Sequence, residues 1–266
     1  MPEGHTIHRL ARNQKAMLAG HVVSASSPQG RFTEGAALID GRELETTDAW
    51  GKHLFHRYTG QVWLHVHLGL YGKFADGPLP APEPRGALRL RLEGAGRHLD
   101  LRGATRCEVV TPAEKLEITA ALGPDPLRPR TDPTPARERI ARSRVAIGAL
   151  LMDQHVVAGI GNVYRAELLY RHGVNPYIPG RELPPAVFAD MWADLVTLMQ
   201  AGVRAGRIVT TEREDRVRRT GRATRADSHY VYRRTGEPCR RFDTPIAQAV
   251  MVARNLFWCP HCQPAL

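Results

Sequence analysis

LLMDQHVVAGIGNVYRAELL, residues 150–169, decides how the second half of the chain is built. The apolar segment VAIGALLMD ends at Asp153, the turn QHVVAGIGN follows, and VYRAELLYRHG resumes a helical apolar period. Gly159 and Gly161 permit positive φ, and Asn162 can cap the second helix. The free backbone N–H groups at such a helix start form an anion site suited to phosphate. The stretch therefore predicts helix, tight turn, helix, with an anion-facing tip.

Downstream, Phe188, Met191, Trp192, Leu195 and Met199 mark a long amphipathic helix ending near Gly202. TEREDRVRRTGRATRAD, residues 211–227, is polar and arginine-rich and reads as a mobile loop. Upstream, LGPDPLRPRTDPTP, residues 122–135, holds five prolines and reads as a stiff, extended linker, with Thr134 and Pro135 opening a helix. Thr111-Pro112-Ala113-Glu114 is a capping box with proline at the first helical position.

The first 110 residues have a different period. Ile7, Leu10, Ala11, Met17 and Leu18 share one face of a helix over 7–18, which Gly20 can stop. In QVWLHVHL, residues 61–68, Val62, Leu64, Val66 and Leu68 alternate with Trp63, His65 and His67, and the histidines read as solvated. In ALRLRLEGAGRHLDLRG, residues 87–103, leucines alternate with arginines around a glycine-rich turn. The expected organisation is a β-rich domain over 1–112, a helix and linker over 113–135, a helical domain over 136–226 and a cysteine-bearing tail over 227–266.

The chain has 37 Lys+Arg against 27 Asp+Glu, a net charge of +10, and the excess is mostly arginine. That balance points to a polyanion, most simply nucleic acid. No run of 18 apolar residues exists, which excludes a membrane-spanning helix. HTIHRLARNQKAML is too polar for a signal peptide, so a cytoplasmic, nucleoid-associated monomer is expected. The cysteines are Cys107, Cys239, Cys259 and Cys262, and clustered cysteines in a reducing compartment read as metal ligands. Cys259-x-x-Cys262 has the knuckle spacing of tetrahedral zinc, and Cys239 is a third ligand. Position 242, where a second knuckle needs cysteine, is phenylalanine. Asp243, His229 and His261 remain as fourth candidates, with His261 poorly aimed from inside the knuckle.

The chain begins MPEGH. With Met1 removed, Pro2 offers a terminal secondary amine, and an α-amino group of pKa about 8 is partly nucleophilic near neutrality. Glu3 beside it can shuttle protons.

Together these stretches resemble the formamidopyrimidine-DNA glycosylase/endonuclease VIII (Fpg/Nei) family: MPEG at the start, WGKHLF with its lysine Lys52, LLMDQHVVAGIGNVYRAELL as the helix–two-turns–helix element, and YRRTGEPC with ARNLFWCPHCQ as the zinc hairpin. The order and near-full span make the combination specific. The resemblance implies an α+β fold: an N-terminal β-sandwich with flanking helices, a helical C-terminal domain with a zinc-finger β-hairpin, and damaged DNA held between them. It implies a bifunctional DNA glycosylase and AP lyase of base excision repair. Pro2 is then the Schiff-base nucleophile, Glu3 the general acid/base and Lys52 a cation at the lesion phosphate. Leu70 and Tyr71 are similar to the wedge that fills the space of the flipped base. Asn162, Gly161 and Arg254 correspond to phosphate contacts, and Cys239, Cys259 and Cys262 to structural zinc ligands.

Leu70-Tyr71, and a 207–230 segment without the glycine-threonine pattern of the purine branch, are closer to endonuclease VIII of actinobacterial type. Oxidised pyrimidines are therefore the expected substrates, with oxidised purines the alternative. Two positions depart from the pattern: Thr6 stands where branch members commonly have a second glutamate, and Phe242 replaces a zinc cysteine. A non-catalytic damage-binding protein would suit the incomplete zinc motif but leaves Pro2, Glu3 and Lys52 unexplained, and a zinc-ribbon RNA-binding protein leaves the MPEG start unexplained.

Overall fold

The computed structural model describes residues 2–265, so the expected removal of Met1 lies outside the described residues. The chain divides into two compact units between Ala121 and Leu122.

In the first unit, α1 (Gly4–Leu18) precedes β1 (His21–Ser26), and a short α2 (Thr33–Ile39) leads into β2 (Arg42–Trp50). Then come β3 (His53–Tyr58), β4 (Val62–His67), β5 (Lys73–Pro78), β6 (Leu88–Gly94), β7 (Arg97–Arg102), β8 (Arg106–Val110) and α3 (Pro112–Ala120). The strands run antiparallel in the order β5-β7-β6-β1-β2-β3-β4-β8. β1 is the hinge of this arrangement: His21–Val23 pair with β2, while Ser24–Ser26 pair with β6. Sharing one strand lets the two halves face each other over a common core. Leu44, Leu54, Leu64 and Val66 enter it from one half, Leu90, Leu92, Leu99 and Leu101 from the other, and Ile7, Ala11 and Leu18 from α1. This is the expected β-sandwich with flanking helices.

The first helix starts three residues earlier than its apolar period predicts. Glu3 is its N-cap, with extended backbone and no side-chain cap bond. The Thr111 box forms as expected: Thr111 Oγ1 accepts from the Glu114 N–H, and the Glu114 carboxylate accepts from the Thr111 N–H at 2.7 Å.

The second unit contains α4 (Thr134–Ala141), α5 (Ile147–Leu150), α6 (Asn162–Arg171), α7 (Pro185–Ala205) and a hairpin of β9 (Ala247–Met251) and β10 (Arg254–Trp258). Its apolar centre gathers Ile147, Leu151, Ile160, Tyr164, Leu168, Phe188, Leu195 and Met199. α7 runs through Gly202 and stops at Gly206, whose φ of 71° supplies the left-handed cap. The proline-rich stretch is no free linker. Asp125 is fully buried and accepts from the Leu127 N–H, Gly123 donates to Gln154 O and Ala158 donates to Pro124 O, so its first residues are pinned onto the helical unit.

Candidate active site and nucleic-acid interface

In the first unit, two contacts fix the direction of α1. Thr47 Oγ1 on β2 donates to Ala11 O at 2.6 Å, and Gly20, just past the helix, donates to Leu44 O. Advancing along α1 therefore means moving back along β2. The start of α1, with Pro2 and Glu3, and the β2–β3 turn, with Gly51 and Lys52, consequently lie at the same end of the sheet. Glu3 is fully buried, while Pro2 and Lys52 are half-buried. His5 on the next turn is buried, and burial lowers its pKa to about 4. Thr6 contributes a hydroxyl 3.2 Å from His5 Nε2.

Leu70 and Tyr71 occupy the β4–β5 turn. Gly69 has φ 66°, and a Cβ on Gly72 would stand 2.2 Å from Leu68 O, so the turn depends on glycine at both sides of the pair. Tyr71 is 86% exposed, an unusual state for an aromatic ring, whereas Leu70 is half-buried.

The histidines next to Lys52 correct the expectation of solvated side chains. His65 is buried: its Nε2 lies 2.8 Å from His53 Nδ1, and its Nδ1 lies 2.9 Å from Glu108 Oε1. The ring of His53 is 5.1 Å from that of His65 and 5.0 Å from that of His67. Burial, then the neighbouring histidines, Arg106 and Lys52, bring His53 to about 3, and burial first brings His67 to about 4. The cluster is thus neutral near pH 7, and Lys52 carries the charge of its turn. Alternation could not reveal this, because the partners are His53 on β3 and Glu108 on β8.

In the second unit, Gly159 takes φ 93° as expected, but Gly161 is extended at φ −125° and is itself the N-cap. Asn162 is the first helical residue, not the cap. Its Nδ2 donates to Asn255 O at 2.8 Å, and its Oδ1 accepts from Arg165 Nη2. Arg165, fully buried, also donates to Asn255 O at 3.2 Å. This lock joins the start of α6, where Gly161 and Asn162 stand, to the hairpin strand β10, whose first residue is Arg254. The hairpin turn Val252-Ala253 has φ 51° and 53°, the signature of a two-residue turn of the primed type.

The 211–227 segment is more ordered than its composition suggests. Asp227 is buried and accepts from the N–H of Val217 and of Arg218 and from Thr224 Oγ1. Glu167, fully buried on α6, anchors the segment's far end. Its carboxylate accepts from the N–H of Tyr230, Val231 and Tyr232 at 2.7, 2.9 and 2.8 Å and from the Thr210 hydroxyl. Sequence reasoning missed Glu167; an acid amid apolar helix residues was the available signal. Between the anchors, Arg218, Arg219, Arg222 and Arg225 stay exposed, a cationic surface suited to phosphate.

The sulfurs of Cys239, Cys259 and Cys262 lie within 4.8 Å of one another and could hold a metal ion. Cys239 and Cys262 are 3.7 Å apart, against about 3.8 Å for the edge of a tetrahedron with metal–sulfur bonds of about 2.3 Å. The donor set therefore fits zinc. Gln263 holds the knuckle: its Oε1 accepts from the Cys259 N–H and its Nε2 donates to Val174 O. Asp243 and His229 do not join the set; among the described residues no histidine or carboxylate does. Asp243 is exposed in a left-handed turn (φ 55°) whose N–H returns to Cys239 O, and His229 packs edge-on against Tyr232. Phe242 is exposed and lies 4.4 Å from the His261 ring. The hydroxyl of Tyr170, from α6, sits 3.1 Å from Cys239 Sγ. Burial, then the neighbouring thiols, push the Tyr170 phenol up. Burial opposes ionisation of Cys239, but hydrogen bonds from Tyr170 and from the N–H of Arg241 and of Phe242 carry its thiol below the ordinary value.

Comparison with known proteins adds an independent line. The profile of the formamidopyrimidine-DNA glycosylase N-terminal domain matches residues 1–107, and that of the formamidopyrimidine-DNA glycosylase H2TH domain matches residues 122–214. The chain belongs to the Fpg/Nei family. Within it, the chain is 50% identical over 267 residues to Endonuclease 8 1 of Mycobacterium tuberculosis, covering 99% of this chain and 100% of that one. It is 35% identical to Probable endonuclease 8 2 of Streptomyces coelicolor, over 99% of this chain and 94% of the relative. These relatives put it on the endonuclease VIII branch. The fold matches the Fpg (MutM) protein of Thermus thermophilus with TM-score 0.80 and 26% identity, over 98% of each chain. It also matches Lactococcus lactis Fpg, solved in complex with abasic-site DNA, with TM-score 0.83 and 21% identity, over 99% of this chain and 100% of that one. Like the family, the chain is a DNA glycosylase with AP lyase activity that serves base excision repair. No helix among the described residues is long and apolar enough to cross a membrane.

Proposed function

We propose that this enzyme removes oxidised pyrimidines from DNA through a Schiff base on Pro2 and then cleaves the strand by β,δ-elimination. The observation that carries the reading is the antiparallel run of α1 along β2, which sets Pro2, Glu3 and Lys52 at one end of the first unit. With Met1 removed, the Pro2 amine attacks C1′ of the extruded nucleotide, the C1′–N bond breaks, and the base leaves with a proton. Opening of the sugar gives a charged iminium directly, because the amine is secondary. The iminium accepts the electron pair when a C2′ proton is lost and the 3′ phosphate departs. A second elimination expels the 5′ phosphate, and hydrolysis frees Pro2. Glu3 carries protons at the sugar, and its burial favours that role by weakening competition from water. Lys52, unaccompanied by charge on the neighbouring histidines, neutralises the lesion phosphate. Tyr71, with Leu70, fills the space the base vacates.

In the second unit, Gly161, Asn162 and Arg254 hold phosphates. The Asn162 side chain is engaged by Arg165 and Asn255, so its peptide N–H, at the start of α6, is the group it offers to DNA. Zinc held by Cys239, Cys259 and Cys262 supplies structural support for the hairpin that carries Arg254. The pyrimidine preference rests on Leu70-Tyr71 and on the endonuclease 8 relatives.

The test is borohydride trapping on labelled duplexes carrying thymine glycol, 8-oxoguanine or an abasic site. The expected result is a covalent adduct mapped to Pro2 on the thymine glycol duplex, lost in Pro2→Gly. Trapping on 8-oxoguanine alone would reassign the substrate to purines. A protein shown to lack Met1 and to hold zinc that traps on none would be a damage-binding protein.

A further inference from the structure

We infer that the hydroxyl of Tyr170 is the fourth ligand of the cysteine site, taking the vertex that Phe242 leaves without a sulfur. The inference rests on the zinc reading of Cys239, Cys259 and Cys262. Three thiolates leave a tetrahedral ion one vertex short, and a structural site is normally closed. Among the described residues no usual group closes it. Phe242, three residues after Cys239, brings a hydrocarbon ring that turns to His261, and no histidine or carboxylate among the described residues reaches the cluster.

What does reach it comes from another element. Tyr170 projects from α6, is 1% exposed, and brings its phenol oxygen to 3.1 Å from Cys239 Sγ, which itself lies 3.7 Å from Cys262 Sγ. A zinc ion with bonds of about 2.3 Å to sulfur and about 2.0 Å to oxygen sets the oxygen–sulfur edge of its tetrahedron at about 3.5 Å. The phenol thus needs to withdraw by only a few tenths of an ångström to ligate, while the Cys239–Cys262 edge of 3.7 Å already fits.

The ring is held for this purpose. It stacks on Tyr230 at 4.7 Å between centroids, and Tyr230 is fixed in turn by donating its hydroxyl to Asp215 at 2.6 Å. On coordination the phenol proton and the thiol protons leave to solvent. Zn²⁺ with three thiolates and one phenolate carries a net charge of −2. The Arg241 guanidinium, 5.7 Å from the Tyr170 ring centroid and 5.1 Å from that of Tyr230, offsets part of it. A ligand on α6 also ties the ion to the helix whose first turn meets the hairpin through Asn162 and Asn255.

The test uses the full-length protein. Zinc content is measured by mass spectrometry, affinity by chelator competition, and ligand identity by the absorption of the cobalt(II)-substituted protein. The wild type is expected to hold one zinc per chain. Tyr170→Phe keeps the ring and its stacking, and is expected to bind zinc at least about tenfold more weakly, with an altered cobalt d–d envelope. Adding Phe242→Cys to Tyr170→Phe is expected to restore tight binding and to raise the sulfur-to-cobalt charge-transfer intensity from three thiolates to four. A Tyr170→Phe protein with wild-type affinity and an unchanged cobalt spectrum would overturn the assignment of Tyr170 alone. A folded wild type that takes up no metal would overturn the zinc reading and this inference with it.

Discussion

Replacing Glu167 with glutamine removes one acceptor oxygen and one charge without changing shape, at a fully buried site. One carboxylate oxygen accepts from the N–H of Val231 and of Tyr232, and the other accepts from the Tyr230 N–H and the Thr210 hydroxyl. The glutamine oxygen can keep the first pair, which turns its NH₂ toward the second. Thr210 can adapt, because its hydroxyl can donate to Ser228 O, 3.2 Å away, and accept from the new NH₂. The Tyr230 N–H cannot adapt and is left facing a donor. One orphaned buried donor costs about 1–3 kcal/mol, and losing the charge weakens the remaining bonds, so the site should lose about 2–3 kcal/mol. Read by amide hydrogen exchange, that is about 30- to 150-fold faster opening at 230–232, with Tyr230 affected most. Protection at Tyr230 equal to wild type, with the variant folded, would refute the claim that Glu167 anchors the segment.

Four further outcomes follow from other sites in the structure. His56 is fully buried between Gln14 Oε1 at 2.7 Å and the Tyr58 hydroxyl at 3.3 Å, and burial holds its pKa at about 4. Above about pH 6.5 the ring is neutral folded or unfolded, but between about 6.5 and 4 only the unfolded chain takes up the proton. His56 therefore costs about 1.4 kcal/mol of stability per pH unit across that window, and His56→Gln should flatten the decline of Tm with acid. Asp100→Ala strands Arg91, whose guanidinium makes bonds of 2.7 and 2.9 Å to that carboxylate inside the first unit, and should cost about 3–5 kcal/mol in denaturant titration. Glu45→Ala, which breaks the part-exposed pair with Arg57, should cost at most about 1 kcal/mol, and equal effects would refute the distinction. Arg254→Ala should weaken binding to damaged and undamaged duplex alike and reduce the salt slope by about 1, whereas an unchanged slope would remove Arg254 from the phosphate contacts.

Features with local causes were legible in the sequence. The Thr111 capping box, the alternation of Leu64 and Val66 with polar neighbours, and the Cys259–Cys262 knuckle each follow from residues a few positions apart, and each forms as read. What was misread depends on distant partners. His65 looks solvated until β3 and β8 bring His53 and Glu108 to it. The proline-rich stretch looks like a spacer until Gln154 and Ala158 claim its backbone groups. Asn162 has the chemistry of a cap, yet Arg165 and a carbonyl 93 positions away draw its side chain elsewhere. The Arg-rich segment has the composition of disorder, but two buried carboxylates, Glu167 and Asp227, organise its backbone. Tyr170 carries no motif, and only the return of the hairpin to α6 makes it a neighbour of the cysteines.

The division of β1 between two partners also sets the order in which the first unit can be completed. Its first half can zip onto β2 as soon as the next helix and turn have been made, since Val23 meets Arg42. Its second half must wait for β6, because Ser24 pairs with Glu93. At a synthesis rate of about 5–20 residues per second, that separation leaves one end of the strand exposed for several seconds on the ribosome. Closing so long a loop is also what makes such sheets slow to fold. During that interval Ser24, Ala25 and Ser26 form an open edge of small and weakly apolar residues, a composition that invites little mispairing while the chain waits for its partner.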